Sequence, residues 1–308
     1  MVSIVVATYN RCSFLEDCIK SYNEQDCKKS LFEILIVNNN STDSTDKISL
    51  ELIEKYHELD IRYMVETKQG LSYGRNRGIV ESKYNLIHFF DDDAIATPNY
   101  ISSIVDTFER YPKAKAAGGK ILLNYFESRP KWASVYIESI FGLFDLGDVE
   151  MEFPRKNYPR GSNMTFKREL FQNIGTFDVS LGRKGKIMLG GEEKEIFQRI
   201  YEAGVSVIYN PLTVCFHSVP ESRTKIDFIR SQVLGIGISE NIRIRNSEFK
   251  YKIKRYVMEA VKWCATLFLF IKYLCLQLNR PKAIFILKFR WWITKGIVIG
   301  PNNSEKGI

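Results

Sequence analysis

Leu86-Ile-His-Phe-Phe-Asp-Asp-Asp-Ala-Ile-Ala-Thr-Pro98 is the stretch around which this chain is organised. An apolar run of β-branched and aromatic character stops abruptly at Asp91, Asp92 and Asp93, and an amphipathic segment with helical spacing follows Pro98. The three acids therefore sit at the end of a strand. Neighbouring carboxylates repel one another, so such a tip is costly unless a cation is held there. Oxygen ligands suit a hard ion such as Mg²⁺ or Mn²⁺, which is commonly shared with the phosphates of a substrate. Taken alone, the triplet also fits an acidic helix-capping loop.

Upstream, the same strand-tip-helix pattern repeats. Val2–Ala7 reads as a buried parallel strand, Thr8–Arg11 as a polar turn, and Phe14, Leu15, Cys18, Ile19 and Tyr22 as one helical face, with Ser13 and Glu16 at capping-box spacing. Phe32–Val37, the tip Asn38–Asp43 and a helix carrying Ile48, Leu52, Ile53, Tyr56 and Leu59 form a second unit. Ile61–Val65 opens a third, and Gly70–Gly78 leads into its helix without the spacing of a phosphate-binding loop. Alternating strands and helices predict an α/β fold with a mostly parallel sheet, whose ligands lie beyond the carboxyl ends of the strands. Thr8, Asn10, Asn38, Asn40, Glu66, Asp91 and Asp93 converge there in one crevice.

Beyond Tyr111, Ala117–Leu123 reads as a strand. Residues 124–160 are irregular and rich in aromatic and basic residues, including Trp132, Tyr136, Phe141, Phe144, Arg155 and Arg160, as expected of a cleft wall. Ser162–Phe166 reads as a strand, Arg168–Ile174 as a helix and Phe177–Gly191 as a loop. Glu192 and Glu193 then fall in the first turn of a helix, where the macrodipole favours acids whether or not they have a further role. Arg183, Lys184 and Lys186 suit either an anion or solvent. Val205–Tyr209 and Val214–Phe216 are closing strands, and His217 follows them as either a ligand or a structural histidine.

The 308 residues carry a net charge of +8, unevenly spread. Residues 241–308 hold 14 basic residues against 3 acids, a balance of +11, while residues 1–240 hold 30 against 33, a balance of −3. A basic C-terminal end points to an anionic surface. Trp263–Ile271 and Ala283–Ile299 are apolar but short or interrupted by Lys288, Arg290 and Lys295, so they suit a helix lying in an anionic interface better than one spanning a bilayer. The six cysteines, at 12, 18, 27, 215, 264 and 275, lack zinc-like spacing and read as reduced thiols in a cytoplasmic protein. No secretion signal is evident at the N-terminus.

With these elements in order, residues 1–220 resemble an inverting family-2 glycosyltransferase of the GT-A fold. The resemblance rests on Ser3-Ile-Val-Val-Ala-Thr-Tyr-Asn10, Val37–Asp43, Gly70 with Arg75-Asn-x-Gly78, the acids 91–93 followed by Pro98, Gly161–Phe166, Phe177-Asp178 and Gly191-Glu-Glu193. Leu181–Gly185 and Gly190–Glu195 further resemble the branch with archaeal lipid-linked-sugar glucuronosyltransferases and bacterial exopolysaccharide enzymes. The resemblance implies a Rossmann-like sheet flanked by helices, a nucleotide-binding half at 1–110, an acceptor and catalytic half at 111–220, and a basic, amphipathic, membrane-associating helical extension at 221–308.

By the same resemblance, Asp93 with Asp91 or Asp92, and His217, hold Mn²⁺ or Mg²⁺, and Asp91 reaches the ribose. Thr8, Asn10, Asn38 and Arg75 lie on the nucleotide side, and Asn163 borders the donor sugar. Position 38 departs from the usual Asp, exchanging a charge for an amide. Glu193 is the implied base, with Glu192 as its rival, because relatives carry Glu-Asp. The implied partners are a nucleotide-diphospho-sugar, most simply a UDP-sugar, a glycan or lipid-linked glycan acceptor, and the inner face of the cell membrane. Nucleic acid is not an expected partner. A silent sugar-nucleotide binder, a nucleotide-sugar hydrolase and a nucleic-acid binder using the basic tail are the competing readings.

Overall fold

A computed structural model describes residues 1–183, 191–245 and 247–300. The chain forms two compact units. The first is Met1–Asn124 with the described part of Gly142–Ser218, and the second is Tyr125–Phe141 with the chain from Val219 onward.

In the first unit β1 (Val2–Thr8), α1 (Cys12–Asn23), β2 (Phe32–Asn38), α2 (Thr45–Lys55), β3 (Ile61–Val65), α3 (Leu71–Glu81) and β4 (Leu86–Asp91) alternate. β1 pairs in parallel with both β2 and β4, and β2 with β3. β5 (Ala94–Ala96), α4 (Tyr100–Arg110), β6 (Ala116–Tyr125), β7 (Met151–Glu152), β8 (Met164–Lys167), α6 (Arg168–Ile174), α7 (Glu192–Glu202) and β9 (Val207–Val219) follow, while α5 (Val135–Glu138) belongs to the second unit. The strands run in the order β3-β2-β1-β4-β8-β6-β9-β5, with β7 beside β9. The expected parallel sheet thus ends at β4. β8 runs antiparallel to β4 and β6, and β5 and β7 antiparallel to β9, which makes the sheet mixed.

β1 and β2 are buried along nearly their whole length, so their sequences lack the alternation of a half-exposed strand. The exception, Glu33, is fully enclosed but satisfied. It accepts from the Ser3 hydroxyl at 2.6 Å and pairs with Arg62 at 3.2 Å. The glycine-rich stretch is not a loop but α3 itself. Gly74 and Gly78 lie on the helix face against β1, where a Cβ at Gly78 would stand 2.2 Å from Val5 Cγ1. α1 begins at Cys12 rather than Ser13, so the capping box does not form. The Asp43 carboxylate instead accepts from Cys12 N at 3.1 Å, tying the tips of β1 and β2 together.

In the second unit α8 (Glu221–Thr224), α9 (Ile226–Arg245), α10 (Phe249–Ile271), a π-helical turn at Lys272–Leu276 and α11 (Arg280–Ile299) form a helical bundle. α9 and α11 meet at Gly237 and Gly296, where a Cβ on either would stand within 2.4 Å of the other helix's carbonyl oxygen. Trp132 stacks on Phe285 at 4.3 Å, so the 125–141 segment belongs to this core. α10 reverses the usual amphipathic order. Its buried residues are Glu259, which pairs with Lys262 and Arg290, and Thr266, while Val257, Val261, Leu267, Phe268 and Ile271 are 49–68% exposed. Among the described residues no helix is long and apolar enough to cross a membrane.

Gly78→Ala gains roughly 1 kcal/mol of helix propensity. It also drives a methyl into Val5, and overpacking of about 1–3 kcal/mol or more outweighs that gain. We expect a lower urea midpoint with an unchanged m-value.

Candidate active site

β4 ends at Asp91, and the chain returns through β5, whose antiparallel register places Ala94 opposite His217. His217 therefore lies inside β9, one continuous strand where two were expected, and beside Asp93. Its Nε2 is 3.2 Å from Asp93 Oδ1, and Ser218 N donates to the Asp93 carbonyl at 2.8 Å. Asp91, Asp93 and His217 each offer a ligand atom, all within 4.8 Å of one another. Two carboxylates and an imidazole suit Mn²⁺ or Mg²⁺, with the nitrogen favouring Mn²⁺.

Asp92 does not join this group. Arg11, from the turn after β1, places Nη1 2.9 Å from both Asp92 Oδ1 and Asp93 Oδ2. Burial pushes the Asp92 carboxyl up, against the pull of Arg11. Burial also disfavours the Asp93 charge, but the facing His217 and Arg11 hold its pKa below the usual carboxylate range. His217, likewise disfavoured by burial, is raised by Asp93.

Arg75, expected on the nucleotide side, bridges the acids. Buried on α3, its guanidinium lies 3.0 Å from Glu192, 3.4 Å from Glu193 and 3.9 Å from Asp91. Gly191, at φ +116°, starts α7 and puts both glutamates in its first turn. The Glu192 side chain is 6% exposed and that of Glu193 22%, so Glu193 is the more accessible acid. Burial, with Glu192 and Asp91 nearby, raises the Glu193 carboxyl to about 7 despite Arg75.

Thr8 and Asn38 end β1 and β2, buried side by side in register. The Asn38 amide donates to Asp46 at 2.7 Å and to Tyr63 at 2.9 Å, and its oxygen accepts from Ser41 N at 2.9 Å. Asn10, at φ +53°, accepts from Thr42 N at 2.7 Å. Asn163 precedes β8. It is fully buried, and its amide donates to the carbonyls of Lys120 at 3.0 Å and Thr213 at 2.8 Å, bracing β6 and β9. Arg183 is described and faces Asp93 electrostatically, whereas Lys184, Lys186 and Gly190 lie outside the described residues.

Three site residues were not foreseen. Arg11 neutralises two acids. Ser162 donates to Asp91 at 2.5 Å. Gly161 leaves room that a Cβ would fill, 2.3 Å from both Arg75 Nη2 and Glu193 Oε1. The last two lie in a motif the sequence displays, whereas nothing local to Arg11 points to its partners 81 and 82 residues away. Arg11→Ala leaves Asp92 and Asp93 without that cation, and we expect a loss of roughly 1–3 kcal/mol. The loss in melting temperature should be smaller when millimolar Mn²⁺ is added.

The model of the glycosyl transferase family 2 matches residues 3–175. The glucosyl-dolichyl phosphate glucuronosyltransferase of Haloferax volcanii is 30% identical over 247 residues, covering 78% of this chain and 76% of that one. A dolichyl-phosphate-linked diacetamido-dideoxy-glucuronosyltransferase of Methanococcus voltae is 23% identical over 259 residues, covering 80% and 75%. Among solved structures, the Pyrobaculum calidifontis mannosyltransferase PcManGT with GDP-Man and Mn²⁺ superposes with a TM-score of 0.63 at 18% identity, covering 96% and 86%. Staphylococcus aureus TarS 1-349 with UDP-GlcNAc gives 0.55 at 16% identity, covering 96% and 82%. These structures share the GT-A fold. With the family model covering more than half of its length and the acid-tipped mixed sheet in place, the chain belongs to glycosyl transferase family 2.

Proposed function

We propose that this glycosyltransferase is an inverting, divalent-metal-dependent enzyme that moves a sugar from a UDP-sugar to a glycan carried on a lipid phosphate. The placement of Glu193 carries the reading. It is a partly exposed carboxyl with a pKa near neutrality, and Arg75 bridges it to the acid group formed by Asp91, Asp93 and His217. A silent sugar-nucleotide binder has no need of a base so poised. The Haloferax and Methanococcus relatives, by name, transfer glucuronosyl groups to dolichyl-phosphate-linked sugars, which supports a uronosyl donor and a lipid-linked acceptor.

In this reading Asp91, Asp93 and His217 hold the cation, and Asp91 also meets the ribose. Thr8 and Asn38 border the base, and Asn10 shapes the loop beside it. Bound there, Mn²⁺ supplies positive charge to the leaving diphosphate. Arg75 holds Glu192 in place at 3.0 Å and leaves Glu193 as the base. Glu193 takes the proton of the acceptor hydroxyl as its oxygen bonds to the anomeric carbon and the bond to the diphosphate oxygen breaks.

A pKa of about 7 requires turnover to fall with decreasing pH below that value, because the base is then protonated. The sign for stability is opposite. A carboxyl raised above its unfolded value destabilises the fold as pH rises from about 4.5 through 7. Glu193→Gln should therefore melt higher at pH 8 than the wild type and keep its Mn²⁺-dependent stabilisation by UDP-sugars. It should lose turnover by ~10²-fold or more. Equal turnover by this variant, or acceptor-independent release of UDP by the wild type, rejects the mechanism.

The partner surface of the second unit is an anionic membrane. Every exposed residue of α10 from Tyr256 to Ile271 is apolar or aromatic, and the 241–308 segment carries +11. A helix in water buries its apolar side, and α10 buries Glu259 and Thr266 instead, so its outer side suits hydrocarbon. Charge selects anionic lipid over a second, equally basic copy. Full-length protein should float with vesicles of phosphatidylglycerol and phosphatidylcholine, not with phosphatidylcholine alone. Leu267→Glu with Phe268→Glu should abolish flotation while leaving turnover of a water-soluble acceptor intact.

A further inference from the structure

We infer that Arg160 is the receptor for an oxyanion carried by one of the two substrates, a carboxylate on the transferred sugar or a phosphate on the acceptor. The inference rests on the transferase reading of the site and names a recognition element within it.

Arg160 stands immediately before the two residues that close the site. Ser162 holds Asp91, and Gly161 lies against Arg75 and Glu193. The Arg160 guanidinium carbon lies over the Tyr158 ring, 4.2 Å from its centre, and over the Phe144 ring at 5.0 Å. Both rings are backed in turn, Tyr158 by Phe197 at 5.8 Å and Phe144 by Phe153 at 6.0 Å. Stacking fixes the plane of a guanidinium through its face and leaves the N–H groups at its edge for hydrogen bonds. An arginine so held loses little further freedom when it binds a planar carboxylate or a phosphate.

The charges of the site support the assignment. Arg11 and Arg75 each lie within 4 Å of two or more carboxylates, at 2.9 Å for Arg11 and 3.0 to 3.9 Å for Arg75. Arg160 makes no such pair among the described residues, yet its charge is felt by Glu193. An anionic substrate group entering among Asp91, Asp92, Asp93, Glu192 and Glu193 meets strong repulsion. Arg160, beside the base and uncommitted to a carboxylate, is placed to offset it.

The test uses full-length wild type, Arg160→Gln and Arg160→Lys, with Mn²⁺ throughout. On the donor side, dissociation constants are measured for UDP-glucuronate and for UDP-glucose. On the acceptor side, KM is measured for a short-chain prenyl phosphate-linked glucose and for octyl glucoside, which lacks the phosphate. Arg160→Gln should weaken the anionic member of one pair by about 10- to 100-fold and its neutral counterpart by less than about threefold. Arg160→Lys should lie between, because a point charge replaces a fork. The pair that separates identifies the source of the oxyanion. Equal losses on anionic and neutral members, or no loss in a variant that melts like the wild type, make Arg160 a packing residue and overturn the assignment alone. A wild type that binds neither UDP-sugar overturns the transferase reading beneath it as well.

Discussion

Like-charge repulsion among five carboxylates is the constraint that the first unit answers. Asp91, Asp92, Asp93, Glu192 and Glu193 come together at the ends of strands and the start of a helix, all of them wholly or largely buried except Asp91 and Glu193. Two such charges 4 Å apart repel by about 4 kcal/mol at an effective dielectric constant near 20. The compensating charges come from three distant places. Arg11 leaves the first strand, Arg75 rises from the third helix, and His217 lies in the last strand. Burial raises the Glu193 carboxyl to about 7, and the neighbouring Glu192 and Asp91 push it the same way.

Bringing these groups into contact demands that backbone pass close to side chains. Gly161 admits the Arg75 and Glu193 head groups where a methyl would exclude both. Gly142, at φ +96°, takes a conformation that other residues rarely adopt, and a Cβ there would stand 3.4 Å from the His217 ring. Gly74 and Gly78 let α3 settle on β1 closely enough for Arg75 to reach across to α7. Small residues thus set the distances at which the charged residues act.

The second unit solves a different problem with opposite polarity. Its inner contacts include the Glu259 pair with Arg290, the Trp263 indole on Thr294 at 3.0 Å, and the bidentate clasp of Arg129 on Glu138 at 2.6 Å. Apolar side chains are left outside on α10. The bundle thus pairs charged and polar groups within and leaves an apolar side without.

The local pattern was enough for the alternating elements, for the acid-tipped strand and for the glutamates of the helix start, because periodicity and capping depend on near neighbours. The glycine-rich stretch was legible as special but not as a helix, since its glycines answer to Val5 and Ala7 on another element. That the Asn163 amide also braces two strands is not legible from its neighbours. His217 stood open between ligand and core until the β5–β9 register set it beside Asp93. The antiparallel half of the sheet, the sharing of Arg75 among three acids and the commitment of Arg11 to two more were decided by tertiary structure alone. Each is a pairing between residues remote in the chain, and one strand or helix holds no record of the partner that balances its charge.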